Sequence, residues 1–171
     1  MTNERTVTAH AGQQSIAFVR EFDAPAALVF RAHTEAELLG RWTGPRGTHM
    51  KLREFDARTG GSWSYVIAAD GGEGEWSFHG SFHEVTEASR IVQTFEFEGD
   101  PGNPTLEVLT FTDLDRGRSR IDGLSIFLSV QARDEMLNGM DDGMDENFKR
   151  LDELIASGEL VATSAGADGR E

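Results

Sequence analysis

From residue 15 onward the apolar positions follow two rhythms, a period of two and then a period near three and a half. Ser15–Glu21 alternates apolar and polar residues and predicts a first strand. Pro25 suits the first turn of a helix, and Leu28, Val29 and Phe30 give that short helix its apolar side. Thr34 and Glu37 have the spacing of a capping box for a second helix. His49–Phe55, Ser62–Ala69, Glu75–Thr86, Arg90–Glu98, Thr105–Leu114 and Ser119–Ser129 then read as strands. Their connectors carry turn chemistry, with Asp70-Gly71-Gly72 the strongest hairpin signal. Connectors this short join antiparallel neighbours, because a parallel crossover needs about a dozen residues or more.

Over residues 132–157 the rhythm changes. Leu137, Met140, Met144, Phe148, Leu151 and Ile155 recur at steps of three and four, which predicts one long amphipathic helix. Gly139 and Gly143 inside it suggest that something approaches the backbone closely, since glycine weakens a helix interior. The order of one strand, two short helices, six strands and a long helix fits an α+β fold. In it a curved antiparallel sheet of six to seven strands wraps around the C-terminal helix. The folded domain is expected over 15–157, between disordered tails at 1–14 and 158–171.

Composition narrows the function. At 171 residues the chain suits one domain, and its 11 Phe and 3 Trp suffice for a substantial core. A net charge of −14 argues against nucleic acid, whose phosphates need a basic footprint, and against an anionic membrane surface. With no cysteine, disulfides, thiolate metal sites and cysteine nucleophiles are excluded. The first residues lack the apolar stretch of a signal peptide and no run approaches a membrane span, so a cytoplasmic location is the default expectation.

Five segments then stand in a telling order: FDAPAALVFRAHTEAELLGRW at Phe22–Trp42, GPRG at Gly44–Gly47, GGSWSYV at Gly60–Val66, FHGSFHEVTEASRIVQTFEF at Phe78–Phe97 and GMDDGMDENFKRLDELI at Gly139–Ile155. Together they resemble the START-like (SRPBCC) superfamily. Within it the resemblance is to the group homologous to the C-terminal domain of the activator of the 90-kDa heat-shock protein ATPase. The resemblance implies a helix-grip fold, an incomplete antiparallel barrel closed by the C-terminal helix around an elongated cavity. It further implies one of three roles: ligand binding, cyclase or dehydratase chemistry on polyketides, or assistance to a chaperone. Many members carry tryptophan where this chain has Met144 and Phe95, so the resemblance implies a reshaped cavity here.

The chemistry-bearing residues favour binding. His79 and His83, four apart on a strand, lie roughly 13 Å apart and cannot share a zinc ion. His10, His33 and His49 form no ligand spacing, and no metal or other cofactor is expected. The DGGEGE run at 70–75 reads as a solvated turn, and Asp134, Glu135, Asp141, Asp142, Asp145 and Glu146 as a solvated helix face. No Gly-x-Ser-x-Gly elbow occurs, and no catalytic residue is assigned. What remains is an aromatic set exceeding the needs of a small sheet: Trp63 and Tyr65, Trp76 and Phe78, Phe95 and Phe97, with Phe111. Met136, Met140 and Met144 add a flexible, polarisable lining, Trp42 and Tyr65 serve as polar handles, and Arg53 or Arg120 as an anchor for a ligand carboxylate. The expected partner is a small, mostly apolar molecule, lipid-like or aromatic. A polyketide cyclase- or dehydratase-like enzyme is the alternative, and a chaperone ATPase-activating module ranks last.

Overall fold

The structure, a computed structural model, describes residues 3–139 and 141–161, with the backbone alone for Gly139, Asp141 and Asp142. The expected α+β architecture is present. The strands are Thr6–Thr8 (β1), Ser15–Phe22 (β2), Thr48–Phe55 (β3), Ser62–Ala69 (β4), Glu75–Thr86 (β5), Arg90–Phe97 (β6), Thr105–Leu114 (β7) and Arg118–Ile126 (β8). The helices are Ala26–Thr34 (α1), Ala36–Trp42 (α2), Val130–Gly139 (α3) and Asp141–Ala156 (α4). The single helix expected over 132–157 is thus described as α3 and α4 on either side of Met140. Among the described residues no helix is long and apolar enough to cross a membrane.

All neighbouring strands are antiparallel, in the order β1-β2-β8-β7-β6-β5-β4-β3. The short connectors make β3 to β8 a meander, and pairing of β2 with β8 brings the first long strand beside the last. Register shifts between Leu52 and Glu54 on β3 and between Phe82 and Glu84 on β5 bend those strands and help the sheet curl.

Two-residue periodicity sets one face of β2 and β8 against the helices. Ile16, Phe18, Arg20 and Phe22 of β2 are buried, as are Ser119, Ile121, Gly123 and Ser125 of β8. Gly123 is required where it stands, because a Cβ there would enter the ring of Phe18, which lies across it. From α4, Phe148, Leu151 and Leu154 close this part of the core. Phe148 meets Phe18 at 5.7 Å and Phe22 at 5.6 Å between ring centroids.

Several local expectations are corrected. Pro25 sits at the N-cap of α1, one residue before its first turn, and the Ala26 N–H is capped from β7 by Asp113 Oδ1 at 2.8 Å. Thr34 does not cap α2. Its hydroxyl donates back to the Phe30 carbonyl at 3.0 Å, the four-residue back-bond open to a threonine inside a helix. Residues 1–14 are not all tail: Thr6–Thr8 pairs with β2, and Arg5 reaches Asp145 at 2.6 Å. Beyond the turn at Gly158, Leu160 returns to the core and is 1% exposed, so order extends past 157. Gly143 has open space where a Cβ would stand, which removes the close approach expected there.

His33, on α1, carries a pH prediction. Its Nδ1–H donates to the Val29 carbonyl at 2.8 Å, and its ring packs on Trp42 and Phe111. Burial pushes its pKa down to about 4, with the Val29 bond opposing. The unfolded chain therefore takes up this proton first as pH falls below about 6.5. Stability is expected to drop by about 1 kcal/mol from this group between pH 7.5 and 5.5, and to fall further until pH 4. Urea unfolding at those pH values checks it: His33→Gln should flatten the acid limb, and an unchanged slope refutes the assignment.

Candidate functional site

The inner face of β3 to β7 differs from the β2–β8 end. Period-two alternation places Trp63, Tyr65 and Ile67 of β4 on it. Cross-strand register brings Gly80 opposite Trp63, Phe78 opposite Tyr65 and Phe97 opposite Phe78. Farther along, Gln93 lies opposite Glu107, and Phe95 opposite Thr105. The rings form one continuous wall. Trp63 stacks on Tyr65 at 5.1 Å, and Phe95 contacts Trp63 at 5.5 Å and Phe78 at 5.3 Å. Phe78 also meets Tyr65 at 5.6 Å and Phe97 at 5.2 Å. Gly80 makes room for the indole, since a Cβ there would come within 2.6 Å of a Trp63 ring carbon and collide with the Thr94 carbonyl.

β6 and β7 are central strands, where a solid core would be most tightly covered. Their inward residues Gln93, Phe95, Glu107 and Leu109 are each only partly covered. Glu107 sits on this inward face and is only partly covered. Burial pushes its carboxyl above the usual carboxylate range. The amide of Gln93, donating Nε2–H to Glu107 Oε2 at 3.0 Å, pulls part way back. Burial, and next the charge of Glu107, pushes the Tyr65 phenol up, so it stays a neutral hydroxyl.

A raised carboxyl makes folding harder wherever the carboxylate must ionise. The stability it holds below its ordinary pKa near 4.5 is lost as pH rises through the folded value. Glu107→Gln is therefore expected to raise the melting temperature at pH 8, and the gain should vanish toward pH 4. A variant less stable than wild type at pH 8 would contradict this.

The expected site residues divide. Trp63, Tyr65, Phe78 and Phe95 meet on the inner wall, while Trp76 and Phe97 stand at its rim, 43% and 37% exposed. Phe111 is buried beside Phe30 and His33, under α1. Trp42 is corrected: it ends α2, is buried, stacks over Phe148 and donates its indole N–H to the Ala32 carbonyl at 2.9 Å. Its polar handle is spent within the fold. Arg53 is corrected as well, lying exposed beside Ser77 and Glu98, away from the wall. Arg120 pairs with Asp122 at 2.8 Å on the outer side of β8. Neither arginine is an inward anchor.

Met144 packs partly against the core and its sulfur accepts from Arg5 Nη1 at 3.7 Å, whereas Met136 is 40% exposed. Met140 lies outside the described residues. His79 and His83 are both exposed on the sheet surface, His79 beside Glu96 at 3.1 Å and Glu98 at 3.4 Å.

Three inward-facing or buried ionisable groups escaped the sequence reading: Arg20 on β2, Glu107 and Arg133. Glu107 was legible in principle: it is four residues before Phe111, so period two puts it on the same inward face. Arg133, on α3, is nearly fully buried. Its Nε lies 2.8 Å from Asp134 Oδ1, but the N–H points aside, leaving that donor without a hydrogen bond. The GPRG loop is fastened to α4 by Arg150, which donates to the Gly44 carbonyl at 2.5 Å, and by Arg46 with Glu153.

Known structures share this fold. A crystal structure from Rhodobacter sphaeroides is 22% identical, with a TM-score of 0.81 over 90% of this chain and 99% of that one. A Chromobacterium violaceum protein is 25% identical, with a TM-score of 0.69 over 82% and 96%. An HSP90 activator from Plasmodium falciparum is 21% identical, with a TM-score of 0.50 over 66% and 72%. No curated protein matches the chain. The sequence profile described as Activator of Hsp90 ATPase homolog 1-like protein matches residues 23–156, most of the chain, and the chain belongs to that family.

Proposed function

We propose that this chain is a cytoplasmic binding protein for a small, mostly apolar molecule, seated between the inner sheet face and the C-terminal helical segment. One observation carries the reading: on the central strands, where a packed core would be closed, Gln93, Phe95, Glu107 and Leu109 keep free surface beside an aromatic wall. Aromatic linings with a few placed polar groups are the usual makeup of small-molecule sites. The resemblance implies tryptophan in many members at the positions of Phe95 and Met144, where the smaller side chains here would leave additional room. A ligand bound only by the native state raises the melting temperature with its concentration. A thermal-shift screen of neutral lipids and polycyclic aromatics, beside native mass spectrometry of the purified protein, should return at least one saturable hit. A uniformly negative screen with no co-purified molecule defeats the reading.

A second reading, an enzyme of the cyclase or dehydratase type, is favoured by Glu107 and Tyr65 on the same wall. A carboxyl with a raised pKa is suited to general acid–base work. Turnover of a bound ligand, lost in Glu107→Gln with binding retained, would promote this reading over simple binding. An activating role toward a chaperone ATPase follows from the family description alone and ranks last.

A further inference from the structure

The wall carries more polar capacity than an apolar ligand would use. Tyr65 is 8% exposed, and its hydroxyl has no hydrogen-bond partner among the described residues. That hydroxyl is not sealed in, in contrast to the Trp63 indole N–H, which is covered and unpartnered. In the cavity proposed above it is available to a bound molecule. Glu107 spends one oxygen on Gln93 and keeps the other unbonded, and the Gln93 amide oxygen is likewise unused among the described residues. None of the three is a sealed, unpartnered atom among the described residues, so each is free to hydrogen-bond a molecule that enters beside it.

The chemistry of that molecule follows from what surrounds the cavity. The wall offers one hydroxyl that both donates and accepts, and two oxygens that accept. Among the described residues no cation is paired with them: Arg53 and Arg120 lie outside, Arg20 is held by Asp152, and Arg133 lies beside Asp134. A ligand carboxylate would face Glu107 with no compensating charge, in a site from which its hydration shell is stripped. A ligand hydroxyl, by contrast, donates to Glu107 or Gln93, and ligand oxygen accepts from Tyr65.

Resting on the ligand-cavity reading, we propose that Tyr65, Gln93 and Glu107 set specificity, selecting a neutral ligand that carries a hydroxyl and rejecting carboxylates such as fatty acids. Phe78 and Phe95 take the apolar body, and the three polar groups choose among bodies of equal size.

Equilibrium dialysis with three probes of one shape tests this: naphthalene, 2-naphthol and 2-naphthoate. The wild type should bind 2-naphthol about three- to tenfold tighter than naphthalene, the gain of one added hydrogen bond, and 2-naphthoate weakest. Tyr65→Phe and Glu107→Leu should each bring the ratio of 2-naphthol to naphthalene affinity down toward one, whatever the change in naphthalene affinity itself. Tyr65→Phe deletes only an unpartnered hydroxyl, so its melting temperature should equal or exceed that of wild type. That variant keeps the test open if Glu107→Leu folds poorly. Equal affinity for naphthol and naphthalene, tighter binding of naphthoate, or a lowered melting temperature in Tyr65→Phe overturns the inference and leaves the cavity reading standing. Failure of naphthalene and 2-naphthol alike to bind overturns the cavity reading, and the inference with it.

Discussion

Phe148→Ala is expected to cost about 3–5 kcal/mol of unfolding free energy, the range for deleting a buried aromatic side chain. Phe148 is the ring on which α4 is seated. It touches Phe18 and Phe22 of β2, faces Trp42 of α2 at 6.3 Å, and lies under the Arg20 guanidinium at 5.5 Å. Those contacts come from different elements, so the cavity left behind cannot close by movement of one of them. Met144→Ala, one turn earlier on the same helix, should cost clearly less, because Met144 is only partly buried. Urea unfolding followed by circular dichroism gives both values. Equal costs would mean that α4 is gripped evenly along its length, contrary to the packing described.

The strands were legible because aromatic and β-branched residues alternate cleanly between connectors of glycine, aspartate and proline. The curved sheet around the C-terminal helix followed from their order, and the helix-grip form from the family resemblance. Thr6–Thr8 was not legible, since three residues without a large apolar anchor carry no periodicity. Their strand exists through pairing with β2, with Arg5 held nearby by Asp145. Leu160 was lost for a related reason: Gly158, with φ of 77°, marks a true helix stop, and nothing local signals that the chain folds back. Tertiary contact decides both cases.

The inner wall was half legible. Trp63, Tyr65, Phe78 and Phe95 share faces by simple alternation. The faces of arginines were a different matter: Arg53 stands at a bulge, where alternation fails, and its side chain turns outward to Glu98. Trp42 looked free because its partner, the Ala32 carbonyl, lies in the preceding helix. Glu107 was passed over because a carboxylate between Leu106 and Val108 reads as solvent-facing. On this strand, however, the two faces are mixed, and Phe111 sets the inward one.

Asp152→Ala is the second large effect, expected near 3 kcal/mol, the low end for breaking a buried pair. Arg20 belongs to the inward face of β2 and is 3% exposed, so its charge has no recourse to water. Asp152 takes it with two bonds, Nη1 to Oδ1 at 2.7 Å and Nη2 to Oδ2 at 2.6 Å, while the guanidinium stacks over Phe22 at 4.6 Å. Without Asp152, only the Glu21 carbonyl, at 2.9 Å, remains as a hydrogen-bond partner of Arg20 among the described residues. The carboxylate itself is 34% exposed, which lets water replace part of what is lost and sets the value at the low end. The comparison that isolates the effect is Glu75→Ala. Glu75 also sits 2.6 Å from a cation, Lys51, but both groups are more than half exposed, and loss of such a pair costs under about 1 kcal/mol. Equal bond lengths with unequal costs would show that burial of Arg20, not the salt bridge distance, sets the energy. Replacing both members in Arg20→Met with Asp152→Ala should recover much of the single-variant loss, because no charge is then left stranded. A double variant as unstable as the sum of the two singles would refute that account.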